Sequence, residues 1–195
     1  MARPRTFDEH EVLEAARQAF WTNGYTATSL DDLTAATGLG KGSLYAAFGG
    51  KRELFERVFG DYCAAASAQT QQLLGGPDAG AYGRLRAYVL DNAKECGPTG
   101  DGRGCLIAKT AAELAGADSS IATYTRTIYE TIVKALTACI EGAQRHGDIA
   151  ASANAGKLAT LLFAALRGIE ALGKAGMPAA TLRRAADAAI EALPR

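Results

Sequence analysis

Residues 28–55, TSLDDLTAATGLGKGSLYAAFGGKRELF, decide the fold. Leu30, Leu33 and Ala36 recur at helical spacing behind Thr28 and Ser29, two good N-caps. Gly38 sits where that helix must stop and reverse, a place where a residue lacking Cβ takes positive φ without penalty. A second, very short helix is expected from about residue 41 to 48. Its Leu44 and Phe48, at i and i+4, dock on the first helix and leave Lys41, Gly42, Ser43, Tyr45 and Ala46 on the other side. A lysine at a positively polarised N-terminus and a glycine beside it stabilise an isolated helix poorly. They suit close approach to a phosphate backbone and a major groove.

Outward from this stretch, Gly24-Tyr25, Thr28-Ser29-Leu30, the run from Gly38 to Tyr45, Phe48 and Lys51-Arg52-Glu53-Leu54-Phe55 come in order over about fifty residues. Together they resemble the DNA-binding domain of TetR-type repressors. The resemblance implies that Thr28, Tyr45 and Lys51 stand at phosphate-contacting positions, while Lys41, Gly42 and Ser43 lie near base edges at the front of the reading helix. The chemistry agrees: Lys41 and Lys51 supply charge, Thr28 and Tyr45 supply hydroxyl donors, and Gly42 removes bulk. Three positions depart from the pattern. Gly40 stands where the family usually has Ser or Thr, Ala47 replaces an aromatic or histidine, and Gly49-Gly50 replaces a longer polar side chain.

The chain has 195 residues, with 21 Lys+Arg against 21 Asp+Glu, so its formal net charge is zero. Operator binding then depends on a local field at the docking face and not on overall charge. Abundant alanine and few aromatics favour packed helices, and no alternating stretch reads as a strand. The first residues lack a secretory apolar run, and no stretch approaches ~18 consecutive apolar residues, so a cytoplasmic protein without membrane association is expected. Cys63, Cys96, Cys105 and Cys139 have no metal-ligand spacing and only His10 and His146 to join them, so free thiols, no metal and no cofactor are expected. No catalytic grouping or phosphate-cradling loop recommends an enzyme.

Taken in order, residues 1–6 make a short arm carrying Arg3 and Arg5, which either reaches DNA or is a solvated tail. A first helix over 7–23 has the stripe Val12, Leu13, Ala16, Ala19, Phe20, and Trp21 and Tyr25 close a small three-helix core. A fourth helix over 51–74 belongs to both halves, and Gly75-Gly76-Pro77-Asp78 breaks it. Helices follow over 81–95, 105–116, 120–146, 153–174 and 178–193, with a glycine-rich loop over 97–104. The expected fold is all-α with about nine helices. Residues 1–50 form the helix-turn-helix DNA-binding domain, and 51–195 a helical ligand-binding and dimerisation domain. The last two helices (about 153–193) carry broad alanine-rich apolar stripes. By the same resemblance they pair with a second subunit as a four-helix bundle, so that two reading helices meet a palindromic operator.

A further resemblance lies in Gly104-Cys105-Leu106-Ile107, Glu113-Leu114-Ala115, Glu141-Gly142-Ala143-Gln144 and Gly147-Asp148-Ile149, similar to a TetR subgroup whose sixth helix opens on Gly-Cys-Leu. Some of its members sense electrophiles or oxidants through that cysteine, and others bind small inducers. Cys105, at a helix N-terminus two residues after Arg103, is therefore either a sensor or a small buried packing residue. Lys109 stands where the subgroup usually has Asn. An effector pocket among the fourth to eighth helices is implied, with Tyr62, Tyr88, Asn92, Cys105, Tyr124 and Phe163 as candidate lining. Asn92 either bonds a backbone group or faces a ligand; Arg167 and Glu170 are interfacial, ligand-facing or solvated.

Overall fold

The computed structural model describes residues 7–97 and 104–195; the arm with Arg3 and Arg5, and residues 98–103 with Arg103, lie outside the described residues. Among the described residues there are nine α-helices and no strand: α1 Glu9–Asn23, α2 Leu30–Thr37, α3 Lys41–Phe48, α4 Lys51–Leu74, α5 Ala81–Glu95, α6 Leu106–Leu114, α7 Ser119–His146, α8 Ala155–Lys174 and α9 Ala179–Glu191. The all-α expectation holds, and the boundaries differ only at caps. Asp8 accepts the backbone N–H groups of His10 and Glu11, so α1 starts at residue 9 and not 7. Asn154 accepts the N–H of Lys157 and sets the start of α8. Ser29 caps α2 in a reciprocal box with Asp32, each side chain bonding the other's backbone N–H.

The apolar stripes meet in one continuous core. Phe20, Phe55 and Phe59 are nearly solvent-free, with Phe20 edge-on to Phe55 at 5.2 Å and Phe55 stacked on Phe59 at 5.6 Å. Phe59 reaches Tyr124 of α7 at 5.8 Å, so α4 joins the N-terminal helices to the rest. Each such ring, fully buried, contributes about 1.5–3 kcal/mol. Helix α7 is the centre of the C-terminal half, packing against α4, α5, α6 and α8, while α9 closes over α5 and α8. No helix of the described residues is long and apolar enough to cross a membrane.

Trp21 departs from its expected place inside the three-helix head. Its ring packs edge-on to Tyr62 at 5.0 Å and its Nε1 donates to the Gly104 carbonyl at 2.7 Å. A half-buried indole needs an acceptor for its N–H, and the C-terminal half holds one. Tyr25 does lie with Phe20 and Phe55.

Candidate nucleic-acid interface

The reading head is built by local rules. The capping box starts α2, Leu33 is fully buried, and Gly38 closes the helix in the left-handed region at φ +70°. Helix α3 follows after Leu39-Gly40, and no side chain caps its N-terminus. Leu44 is its buried residue and Phe48 is half-buried, whereas Lys41, Gly42, Ser43, Tyr45 and Ala46 are exposed. A Cβ placed on Gly42 meets nothing within 4 Å, so internal packing does not require glycine there. That open space is what a groove wall would fill.

The candidate contact residues are not equivalent. Tyr45 is 50% exposed and its ring lies beside Gly50. Lys41 Nζ forms an exposed ion pair with Asp31 at 2.7 Å. Lys51 Nζ sits 4.4 Å above the Tyr25 ring and donates to the Thr26 carbonyl at 3.4 Å. Thr28 differs from the expectation: its side chain is fully buried and its hydroxyl donates to the Gly24 carbonyl at 2.6 Å. A hydroxyl at the foot of a helix finds the nearest free carbonyl, and here that carbonyl ends α1.

What sequence reasoning missed is how the head is gripped. Lys109 Nζ donates to the carbonyls of Trp21 at 2.8 Å and Thr22 at 2.7 Å, the last turn of α1. One turn on, the Glu113 carboxylate accepts from the N–H groups of Tyr25 at 3.0 Å and Thr26 at 2.6 Å. Gly24 has φ +87°, and any Cβ there would collide with Glu113 Oε2 at 2.6 Å, so this corner needs glycine twice over. A further tie joins Arg52, at the start of α4, to the α7 cap Asp118 at 2.6 Å. The i, i+4 spacing of Lys109 and Glu113 was visible in the sequence, but their backbone partners, more than eighty residues away, were not.

Of the six candidate lining residues, Tyr62 and Phe163 line separate clefts. Tyr62 and Cys105 adjoin; burial and then the neighbouring Cys105 thiol push the Tyr62 hydroxyl above its ordinary value. Tyr88 approaches the Thr70 hydroxyl at 3.4 Å, and Asn92 donates to the Tyr88 carbonyl at 2.7 Å, a bond within α5. Tyr124 lies against Phe59, and Phe163 against Tyr129 at 5.0 Å. Beside Cys105, Glu170 is buried: it accepts the Cys105 N–H and pairs with Arg167 at 2.7 Å and Lys174 at 3.8 Å. A guanidinium of α8, that of Arg167, also lies near this thiol. All four cysteines are free, and burial pushes Cys63 up to about 12. Among the described residues no group of His, Cys, Asp and Glu is placed to hold a metal ion.

Known proteins match this arrangement. Residues 12–58 match the family described as bacterial regulatory proteins, tetR family, and residues 81–189 match a tetracyclin repressor-like C-terminal domain. The chain is 26% identical over 192 residues to the HTH-type transcriptional repressor ComR of Escherichia coli (strain K12), covering 98% of this chain and 91% of ComR. It is 28% identical over 164 residues to the HTH-type transcriptional repressor DhaR of Mycobacterium sp. (strain GP1), covering 84% and 81%. A cysteine mutant of the TetR family transcriptional regulator CifR, solved with 26-base-pair double-strand operator DNA, superposes with a TM-score of 0.84 at 25% identity, covering 99% of this chain and 100% of that one.

Proposed function

Because the chain belongs to the TetR family of bacterial regulatory proteins, we propose that it is a homodimeric repressor that holds a palindromic operator with two copies of α3 and releases it on binding a small molecule. The observation that carries this reading is the outward strip Lys41, Gly42, Ser43, Tyr45, with open space beyond Gly42 and an uncapped helix N-terminus beside it. One such strip spans only a few base pairs, so a second copy related by a twofold axis is needed for a specific site. The repressor names of ComR and DhaR and the operator complex of CifR support it.

In this reading residues 1–50 read DNA, and 51–195 bind the effector and dimerise. Helices α8 and α9 supply the dimer face. Leu161 is 55% and Leu172 39% exposed, Ala164, Gly168 and Ala171 continue that face of α8, and Ala188 of α9 and Ala192 at its C-terminal cap are exposed as well. An apolar stripe left in water on a helix pair whose other faces are already core is best covered by its own copy. An effector that displaces α6 would pull on the α1–α2 corner through Lys109 and Glu113 and re-aim α3. To take the operator from mostly bound to mostly free, the effector must prefer the released state by about 5.5 kcal/mol.

Selection of bound fragments from random duplex DNA tests the proposal. A recovered palindrome with half-sites about one helical turn apart is the expected result; recovery of no common sequence overturns it.

A second reading has its own observation. Cys105 is a free, half-buried thiol touching Tyr62, with the Glu170–Arg167 pair at its back. Electrophile or oxidant attack on it would disturb the start of α6 and so the grip on α1. Mass spectrometry after mild oxidant, paired with DNA release by the wild type and by Cys105→Ser, separates the two. Release that survives in Cys105→Ser removes the thiol reading.

A further inference from the structure

A groove of about 650 Å³ runs between α6, α7 and α8, next to the Cys105 cluster, whose Arg167 lies over the Phe163 ring at 5.3 Å. Ala111 of α6 and Ala115 at its C-terminal cap form one wall, Tyr129 and Val133 of α7 the floor, and Phe163 of α8 the other wall. Arg126, Glu130 and Lys134, exposed on α7, carry charge at its edge.

Thr125, on the floor of this groove, is 3% exposed, and its Oγ1 has no hydrogen-bond partner. That is unlike its neighbours on the same helix. Thr127, Thr131 and Thr137 each donate to the carbonyl four residues back, at 3.1, 2.9 and 2.8 Å. Thr160, on the α8 wall, does the same toward Gly156 at 2.8 Å. A buried hydroxyl without a partner is costly, and natural proteins rarely leave one so.

We propose that this groove binds an uncharged, flat aromatic molecule carrying an oxygen that hydrogen-bonds Thr125 Oγ1. The volume falls in the range of small-molecule sites. The Tyr129–Phe163 pair, tilted 62° at 5.0 Å, offers ring faces and edges to a planar guest. An uncharged guest is favoured, because Arg126, Glu130 and Lys134 carry both signs at the edge, while the inner lining of Ala111, Ala115, Val133 and Phe163 is apolar and offers only the hydroxyls of Thr125, Tyr129 and Thr160. The inference rests on the reading that the C-terminal half holds the effector, and it names that effector's chemistry. Bound against Ala111 and Ala115, the guest pushes on the helix whose other side carries Lys109 and Glu113.

The test titrates the full-length protein with 2-naphthol, naphthalene and 2-naphthoate by calorimetry, and follows operator release separately by mobility shift. The wild type is expected to bind one 2-naphthol per chain, about fivefold more tightly than naphthalene and well ahead of 2-naphthoate. Thr125→Val should erase the preference for 2-naphthol over naphthalene while still binding naphthalene, and Thr125→Ser should keep it. Ala115→Phe, which fills the groove from the end of α6, should abolish binding of all three. An unchanged preference in Thr125→Val, tighter binding of 2-naphthoate, or no saturable binding to the wild type each overturns the proposal. The last is also the outcome if a second copy of the chain closes the groove. Binding as expected without operator release upholds the groove and removes its role as the effector site.

Discussion

Glu113 of α6 accepts the backbone N–H of Thr26 at 2.6 Å, and through that bond the C-terminal half holds the corner from which the reading helices start. The same carboxylate accepts the N–H of Tyr25, and Lys109 one turn earlier donates to two carbonyls of α1. A single nine-residue helix thus satisfies backbone groups at the end of α1 and just beyond it.

Replacing that carboxylate should uncouple the halves before it unfolds either. Glu113→Gln is expected to cost about 1 kcal/mol of stability, since charge-assisted bonds at an exposed site are partly screened. The loss should depend on pH. Burial raises the Glu113 pKa, but the bonds from Thr26 and Tyr25 and the charge of Lys109 outweigh it and hold the carboxyl below its ordinary 4.5. A carboxylate depressed on folding stabilises the native state above its unfolded value, and the contribution is lost as pH falls through the lower folded value. Thermal unfolding should therefore show a gap between wild type and Glu113→Gln at pH 7 that narrows as the pH falls below the ordinary 4.5. A gap that does not narrow in acid would rule this out.

Thr28 and Tyr45 should behave differently, although both were expected to serve phosphates. Thr28→Val removes the internal bond to Gly24 and leaves its carbonyl short of a donor, so stability should fall by about 1–3 kcal/mol in denaturant titrations. Tyr45→Phe should leave stability within about 0.5 kcal/mol and weaken operator binding. Equal stability losses in the two variants would contradict their assigned positions.

On the reading face, charge and bulk separate two kinds of defect. Lys51→Ala should weaken all duplexes alike and lower the salt dependence of binding by about one counterion. Gly42→Glu should abolish operator binding without loss of fold, because the added side chain enters open space. Asp31→Asn frees Lys41 from its 2.7 Å partner and removes an anion from the face, so affinity should rise. Mobility-shift titrations at two salt concentrations read all three, and a salt slope unchanged by Lys51→Ala would remove that residue from the backbone contacts.

The exposed face of α8 should be unforgiving of charge. Leu161→Asp is expected to convert a dimer to monomer in sedimentation equilibrium while the helical circular dichroism stays the same. Operator affinity should fall with it, since a monomer offers one reading helix. A dimer that survives both Leu161→Asp and Leu172→Asp would place the interface elsewhere.

Most of the secondary structure was legible in the chain before any coordinates, because caps, glycine stops and 3.6-residue stripes act over distances of a few residues. The bounds of α3, α4 and α5 follow from Gly38-Leu39-Gly40, Gly49-Gly50 and Gly75-Gly76-Pro77, and the outward set on α3 follows from Leu44 and Phe48 being the only large apolar side chains on that turn. What remained closed was every question of which distant backbone a polar side chain would meet. Whether Thr28 faced inward, whether Trp21 belonged to the head or met Tyr62 and the Gly104 carbonyl, and what Lys109 and Glu113 held were decided by tertiary packing. So was the lone hydroxyl of Thr125, which no spacing distinguishes from those of Thr127 and Thr131. Local geometry chooses helices and their faces, but hydrogen-bond partners more than eighty residues apart are chosen only when the core closes and desolvates them together.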